Sequence, residues 1–212
     1  MNLRRALAVL GALTGAGALV LQFIILCSAM DADGHSPIDV AWRFVGFFTI
    51  LTNVLVTAIW VGAALRPAPT GGRNGARAEL AAANAIIMVG VVYHLVLANM
   101  WAPQGAQLVA DIALHTATPL LFGLFWIVGP HGVLKWSDAL FCLIWPLSYC
   151  VYALARGARD GWYAYPFLDP TTTSWPALLG NIGVLSAAFL AVGMALVAID
   201  KGMARRRLTE SR

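Results

Sequence analysis

Charge is scarce in this chain: of 212 residues, only 11% are Asp, Glu, Lys or Arg, against 60% from the hydrophobic set. A soluble domain carries about 25% charged and roughly 45–50% apolar residues. The polar surface here is too small to clothe a water-soluble globule, and a mean hydropathy of +0.76 is the reverse of the disordered signature. Cysteine is nearly absent as well. Cys27, Cys142 and Cys150 are odd in number, lie in apolar runs and form no C-x-x-C, which excludes a disulfide framework and a thiolate zinc motif. They read as small buried hydrophobes. No G-x-S-x-G, H-E-x-x-H or Walker pattern occurs, so those standard hydrolase, zinc and phosphate-loop enzymes are excluded. No basic stripe interleaved with aromatics exists either, so a net charge of +4 does not point to nucleic acid.

Long apolar runs are abundant. Six can each cross ~30 Å of hydrocarbon with ~20 helical residues: about Leu7–Met30, Phe44–Leu65, Leu80–Trp101, Gln107–Val128, Ser137–Ala155 and Pro176–Ile199. They lack the alternation of barrel strands, and backbone groups in lipid must bond within their own segment, so the spans are helices. The connections 31–43, 66–79, 102–106, 129–136 and 156–175 are rich in Gly, Pro and charge and too short for a soluble domain. The expected fold is all-α: a single polytopic domain over 1–212, six transmembrane helices, without internal repeats. The first run continues to Met30 with no A-x-A site, so it reads as a retained span rather than a signal peptide. The fifth contains Pro146, which predicts a kink.

Basic residues set the orientation. With both termini inside, the inner side carries Arg4, Arg5, Arg66, Arg73, Arg77, Lys135, Lys201, Arg205, Arg206, Arg207 and Arg212. The outer side carries only Arg43, Arg156 and Arg159. Both termini are therefore expected in the cytoplasm. A preference for Arg over Lys, twelve to two, fits a GC-rich bacterial genome, and the location expected is a bacterial plasma membrane.

Polar groups inside hydrocarbon are costly and mark function by default. Thr49, Thr52 and Asn53 fall early in span two, Tyr93 and His94 late in span three, and Asp111, His115, Thr116 and Thr118 early in span four. At 1.5 Å per residue, Thr49 lies ~8 Å, His94 ~10 Å and His115 ~12 Å from the outer ends of their spans. Three helices thus bring polar side chains to one depth. Thr49 and Asn53 are i and i+4, as are Asp111 and His115, so each pair shares a helix face. Hydroxyl, imidazole, carboxylate and amide are the parts of a nucleophile, a base, an orienting group and an oxyanion donor. The plainer readings are a Thr bonded to its own i−4 carbonyl and a His bonded to a neighbour. A different chemistry would use His94 and His115 as axial ligands of a b-type haem, or to bind a quinone. A small transporter or structural membrane protein is the third reading. His35 and His131 lie in connections and read as solvated, and Gly11 and Gly15 form a small-xxx-small packing pair.

Several segments together resemble a known family. They are Trp42-Arg43-Phe44, Phe48-Thr49-Ile50-Leu51-Thr52-Asn53, Leu114-His115-Thr116-Ala117-Thr118-Pro119 and Gly161-Trp162-Tyr163-Ala164-Tyr165-Pro166-Phe167-Leu168-Asp169. In content and order they are similar to the androgen-induced and androgen-dependent TFPI-regulating protein family, through its bacterial six-span relatives. The resemblance implies a membrane threonine hydrolase of fatty acid esters of hydroxy fatty acids, with membrane lipids and a fatty acyl ester as partners and no metal or cofactor. Carried over by motif, the family's nucleophile falls on Thr49 and its histidine on His115. Counting from Trp42 instead would select Gly46, which has no nucleophile, and Thr52 is the other candidate. Asp111 would orient His115, Asn53 would serve the oxyanion, and His94 would support the site. The loop carrying Trp162, Tyr163, Tyr165, Phe167 and Asp169 would cap it at headgroup level.

The orientation is testable in a cysteine-free background with single cysteines at Ser36, Asn74 and Thr172. Positions 36 and 172 label with an impermeant maleimide on intact cells, and 74 only after permeabilisation. Labelling of position 74 from outside reverses the topology.

Overall fold

A computed structural model describes residues 2–65 and 72–210, with side chains placed up to residue 205. Arg66 and Arg212 of the basic asymmetry lie outside the described residues, as do the side chains of Arg206 and Arg207. The described chain is helical almost throughout, without a strand. Six helices are long and apolar enough to cross a membrane: Leu3–Asp31, Phe48–Leu65, Gly72–Met100, Gly105–Ile127, Trp136–Asp160 and Trp175–Arg205. Large apolar side chains on them stay exposed, among them Leu13, Val20, Leu95, Val151 and Val184. That is the surface a lipid solvent calls for.

The chain forms two compact units, 1–70 with 86–130 and 71–85 with 131–212. In the first, α1 (Leu3–Asp31) runs antiparallel to α3 (Phe48–Leu65). Arg5 Nε donates to the Ala64 carbonyl at 3.1 Å, and a Cβ on Gly11 or Gly15 would run into Trp60 or Thr57. The small residues thus let the two helices approach. Trp60 fills the contact, its ring 5.3 Å from that of Phe122 on α6 (Thr118–Ile127). The short helix α2 (Pro37–Phe44) was not anticipated in the 31–43 connection. Its signal was present in Ser36-Pro37-x-Asp39: Ser36 Oγ accepts from the Asp39 N–H, Asp39 accepts from the Ser36 N–H, and Pro37 opens the helix. Hydrogen bonds donated by the Ser36 hydroxyl and N–H hold the Asp39 carboxyl below the usual carboxylate range.

The third span begins at Gly72 as α4 (Gly72–Val92), eight residues before the apolar run at Leu80. Arg73 and Arg77 explain the early start. Both pair with the fully buried Asp138 at 2.8 Å, so polar residues with good helix propensity extend the helix beyond its apolar stretch. This cluster belongs to the second unit.

There the fifth span opens as a 3-10 helix, Trp136–Leu143, and becomes α7 (Ile144–Asp160) only at Ile144. Pro146 accordingly sits in the first turn of α7, where its missing N–H costs no hydrogen bond. The proline thus falls just after the change from 3-10 to α-helix. Cys142 of the 3-10 segment packs where Gly193 of α8 (Trp175–Glu210) leaves room. The side chain of His131, expected in solvent, is instead buried, with Nδ1 3.2 Å from Asp200 Oδ1. Asp200 also accepts from the Gly132 and Leu134 N–H groups.

After Gly161, left-handed at the end of α7 (φ 73°), Trp162 lies against the Arg156 guanidinium, and the ring of Tyr163 covers Gly157. Tyr165 stacks on Phe167 at 5.2 Å. Asp169 caps the next turn, and hydrogen bonds from Thr171 and Thr172 keep its carboxyl below the usual range.

The α1–α3 contact can be tested with two glycines of one helix. Gly11→Ala forces a methyl into the buried Trp60 ring and destabilises by about 1–3 kcal/mol, the usual cost of overpacking. Gly17→Ala meets nothing within 4 Å and is neutral or slightly stabilising. Thermal unfolding in detergent separates the two.

Candidate functional site

The polar residues of spans two, three and four meet within the first unit. Thr49 stands in the first turn of α3, which begins at Phe48 after the turn Val45–Phe47. The sequence placed the start of this span at Phe44, so Thr49 is more than a turn nearer its end than expected. Thr49 Oγ1 is 3.3 Å from His115 Nε2. The other ring nitrogen, Nδ1, is 3.1 Å from the Asp111 carbonyl oxygen and 3.2 Å from Asp111 Oδ1. With the Asp111 carbonyl accepting at Nδ1 and its carboxylate close by, that nitrogen carries the proton, and Nε2 is left to accept from the Thr49 hydroxyl. The order is hydroxyl, imidazole, carboxylate, as in a nucleophile–base–orienter set.

The backbone around this set departs from α-helical geometry twice. Ala113–Ala117, between α5 (Gly105–Ile112) and α6, is π-helical, and so is Tyr93–Leu97 beyond the end of α4. Such single π turns occur often at functional sites. One presents His115 and the other Tyr93. The two helices approach closely at Gly90, where a Cβ would lie 3.2 Å from the His115 carbonyl oxygen and 3.4 Å from Pro119. Tyr93 completes the set: its hydroxyl donates to Asp111 Oδ2. Its ring stacks on His115 with centroids 3.9 Å apart and planes inclined by 15°. The sequence places Tyr93 at the right depth but assigns it no task, because nothing in a one-dimensional pattern marks a π turn.

Asn53 does not fill the oxyanion role expected of it. Its Nδ2 donates to the Thr49 carbonyl at 2.9 Å and to the Leu114 carbonyl at 3.3 Å, and its Oδ1 accepts from Thr118 Oγ1 at 2.6 Å. Both amide hydrogens are engaged and the residue is fully buried. It ties α3 to the π turn that carries His115. Thr52, the alternative nucleophile, is fully buried too, whereas Thr49 and His115 are only partly covered.

His94 is exposed, with Nε2 3.0 Å from Thr116 Oγ1. His94 and His115 thus contact separate hydroxyls, and the Tyr93 ring packs against both imidazoles, so the axial-ligand alternative gains no support from these contacts. Among the described residues no group of three or more His, Cys, Asp or Glu is placed to hold a metal ion. Trp162, Tyr163, Tyr165, Phe167 and Asp169 belong to the second unit, in the packing described above.

Comparison with known proteins adds no assignment: no family model, no curated protein and no solved structure matches this chain.

The assignment of Asn53 as a structural tie has a measurable consequence. Asn53→Ala removes three hydrogen bonds, those to the Thr49 and Leu114 carbonyls and that from the Thr118 hydroxyl, which keeps the Leu114 carbonyl as a partner at 3.1 Å. It destabilises the protein by about 1–3 kcal/mol in all, because the polar groups left behind retain partners. Thermal unfolding in detergent reads the loss.

Proposed function

We propose that the protein is an integral membrane hydrolase of lipid esters, with Thr49 as nucleophile and His115 as general base and then acid. The observation that carries this reading is the line Thr49 Oγ1–His115 Nε2, His115 Nδ1–Asp111, built into apolar spans that only a lipidic substrate reaches easily. A Thr hydroxyl is a weak nucleophile at its own pKa and needs an adjacent base. His115 is that base, and Asp111 steadies the imidazolium that forms.

The steps balance without a cofactor. Thr49 Oγ1 attacks the ester carbonyl carbon while its proton passes to His115 Nε2. The tetrahedral oxyanion forms beside the N-terminus of α3, the positive end of that helix's dipole, which favours negative charge. Collapse breaks the bond to the alcohol oxygen, which leaves with the proton from Nε2 and gives an acyl-Thr49 ester. Water then attacks that ester, losing its proton to Nε2, and the acid is released as Thr49 regains its hydrogen. The resemblance to the androgen-induced family supports the same two residues. With both termini in the cytoplasm, as the basic residues favour, the site lies in the outer half of a bacterial plasma membrane.

Purified protein in detergent hydrolyses a short-chain acyl ester or a branched fatty ester. Thr49→Ala and His115→Ala each lower kcat/KM roughly a thousandfold or more, and Thr52→Ala leaves catalysis intact in the fraction that folds. A fluorophosphonate probe labels the wild type, and peptide mapping places the adduct on Thr49. Full turnover in either Thr49→Ala or His115→Ala overturns the proposal.

A further inference from the structure

We infer that Tyr93 is a positioning residue that holds His115 in the tautomer and orientation able to accept a proton from Thr49. The inference rests on the reading of Thr49 and His115 as a nucleophile–base pair.

Two contacts carry it, and they act on different degrees of freedom. The Tyr93 hydroxyl donates to Asp111 Oδ2, which leaves Oδ1, without a hydrogen bond of its own, 3.2 Å from His115 Nδ1. The carboxylate is thereby fixed about its own terminal torsion. The Tyr93 ring covers one face of the imidazole at 3.9 Å and 15°, which fixes the plane in which Nε2 points toward Thr49. An imidazole with one nitrogen near an exposed rim and the other near a backbone carbonyl could otherwise rotate or exchange tautomers. Either change would present a protonated nitrogen, or none, to the hydroxyl. Tyr93 and His115 both stand on π turns, and Gly90 allows their helices to close. The ring stack therefore depends on two local departures from the α-helix and on one missing side chain. Core filling alone would require neither the hydroxyl donation nor near-parallel rings.

Tyr93→Phe keeps the stack and removes the donor, and Tyr93→Leu removes both. The expected result is a fall in kcat of about ten- to hundredfold for Tyr93→Phe, the rate equivalent of one hydrogen bond to a charged group. KM stays within about twofold, since substrate binding is not touched, and the loss in Tyr93→Leu is larger. Independently of turnover, 15N spectra of histidine-labelled protein report the tautomer of His115, assigned by loss of its signals in His115→Gln. The wild type shows a protonated Nδ1 and an unprotonated Nε2, and Tyr93→Phe shows a mixture.

The two readouts separate two failures. A wild type without esterase turnover, but with a His115 tautomer that shifts in Tyr93→Phe, removes the hydrolase reading and leaves the positioning role standing. An active wild type with unchanged kcat and unchanged 15N signals in Tyr93→Phe overturns the positioning role and leaves the hydrolase. Should Tyr93→Phe fail to fold, 3-fluorotyrosine introduced at position 93 alone preserves shape and changes the donor strength. Unmoved 15N signals and kcat in that protein overturn the inference equally.

Discussion

A polar side chain in hydrocarbon has only other protein groups to bond with, and the architecture around Thr49 follows from that constraint. Asn53 could not remain buried in α3 unless both amide hydrogens and its oxygen were matched. They are matched by the Thr49 and Leu114 carbonyls and by the Thr118 hydroxyl. The Leu114 carbonyl, within the π turn, accepts from both Asn53 Nδ2 and the Thr118 hydroxyl, using its two lone pairs. One buried amide thus fixes the distance between α3 and the His115 turn. The approach of the Thr49 hydroxyl to the imidazole is a consequence of that distance.

The π turns make the rest possible. In a regular helix Asp111 and His115, one turn apart, share a face, yet the backbone would offer no reason for a second helix to approach that face. Tyr93 lies over the imidazole where the π turns Ala113–Ala117 and Tyr93–Leu97 meet, and Gly90 spares the His115 carbonyl and Pro119 a tight contact with a methyl. Two distorted turns at one place are costly unless the surroundings over-determine them. Here the hydrogen bonds of Asn53, Thr118 and Tyr93 do so.

Most of the fold was legible in the sequence, because the property that makes a transmembrane helix is composition over about twenty residues, and composition is linear. The six spans follow from it, and their ends differ where a specific side-chain partner intervened. Asp138 draws Arg73 and Arg77 into an extended α4, and Ser36 with Asp39 starts an extra helix. His131 is buried by an aspartate 69 residues away, a pairing no local pattern reveals. At the candidate site, the i, i+4 spacings and the common depth brought Thr49, His115 and Asp111 into view. The roles of Asn53 and Tyr93 depend on which hydrogen bonds are already taken, and that is a property of the assembled structure alone.

The second unit shows why the Thr49 constellation differs from ordinary buried polarity. His131 and Asp200 also form an imidazole–carboxylate pair, but the carboxylate is bound by the Gly132 and Leu134 N–H groups and both side chains are almost wholly covered. Asp138 is likewise closed by two guanidiniums and the Lys135 N–H. In each of these networks the carboxylate is held by backbone N–H groups or by guanidiniums. The line from Tyr93 through Asp111 and His115 reaches the hydroxyl of Thr49, which is only partly covered. A buried carboxylate–histidine pair is a structural device when its last atom is a backbone amide. Where it reaches a partly exposed hydroxyl, as at Thr49, it has the parts that a nucleophile–base pair requires.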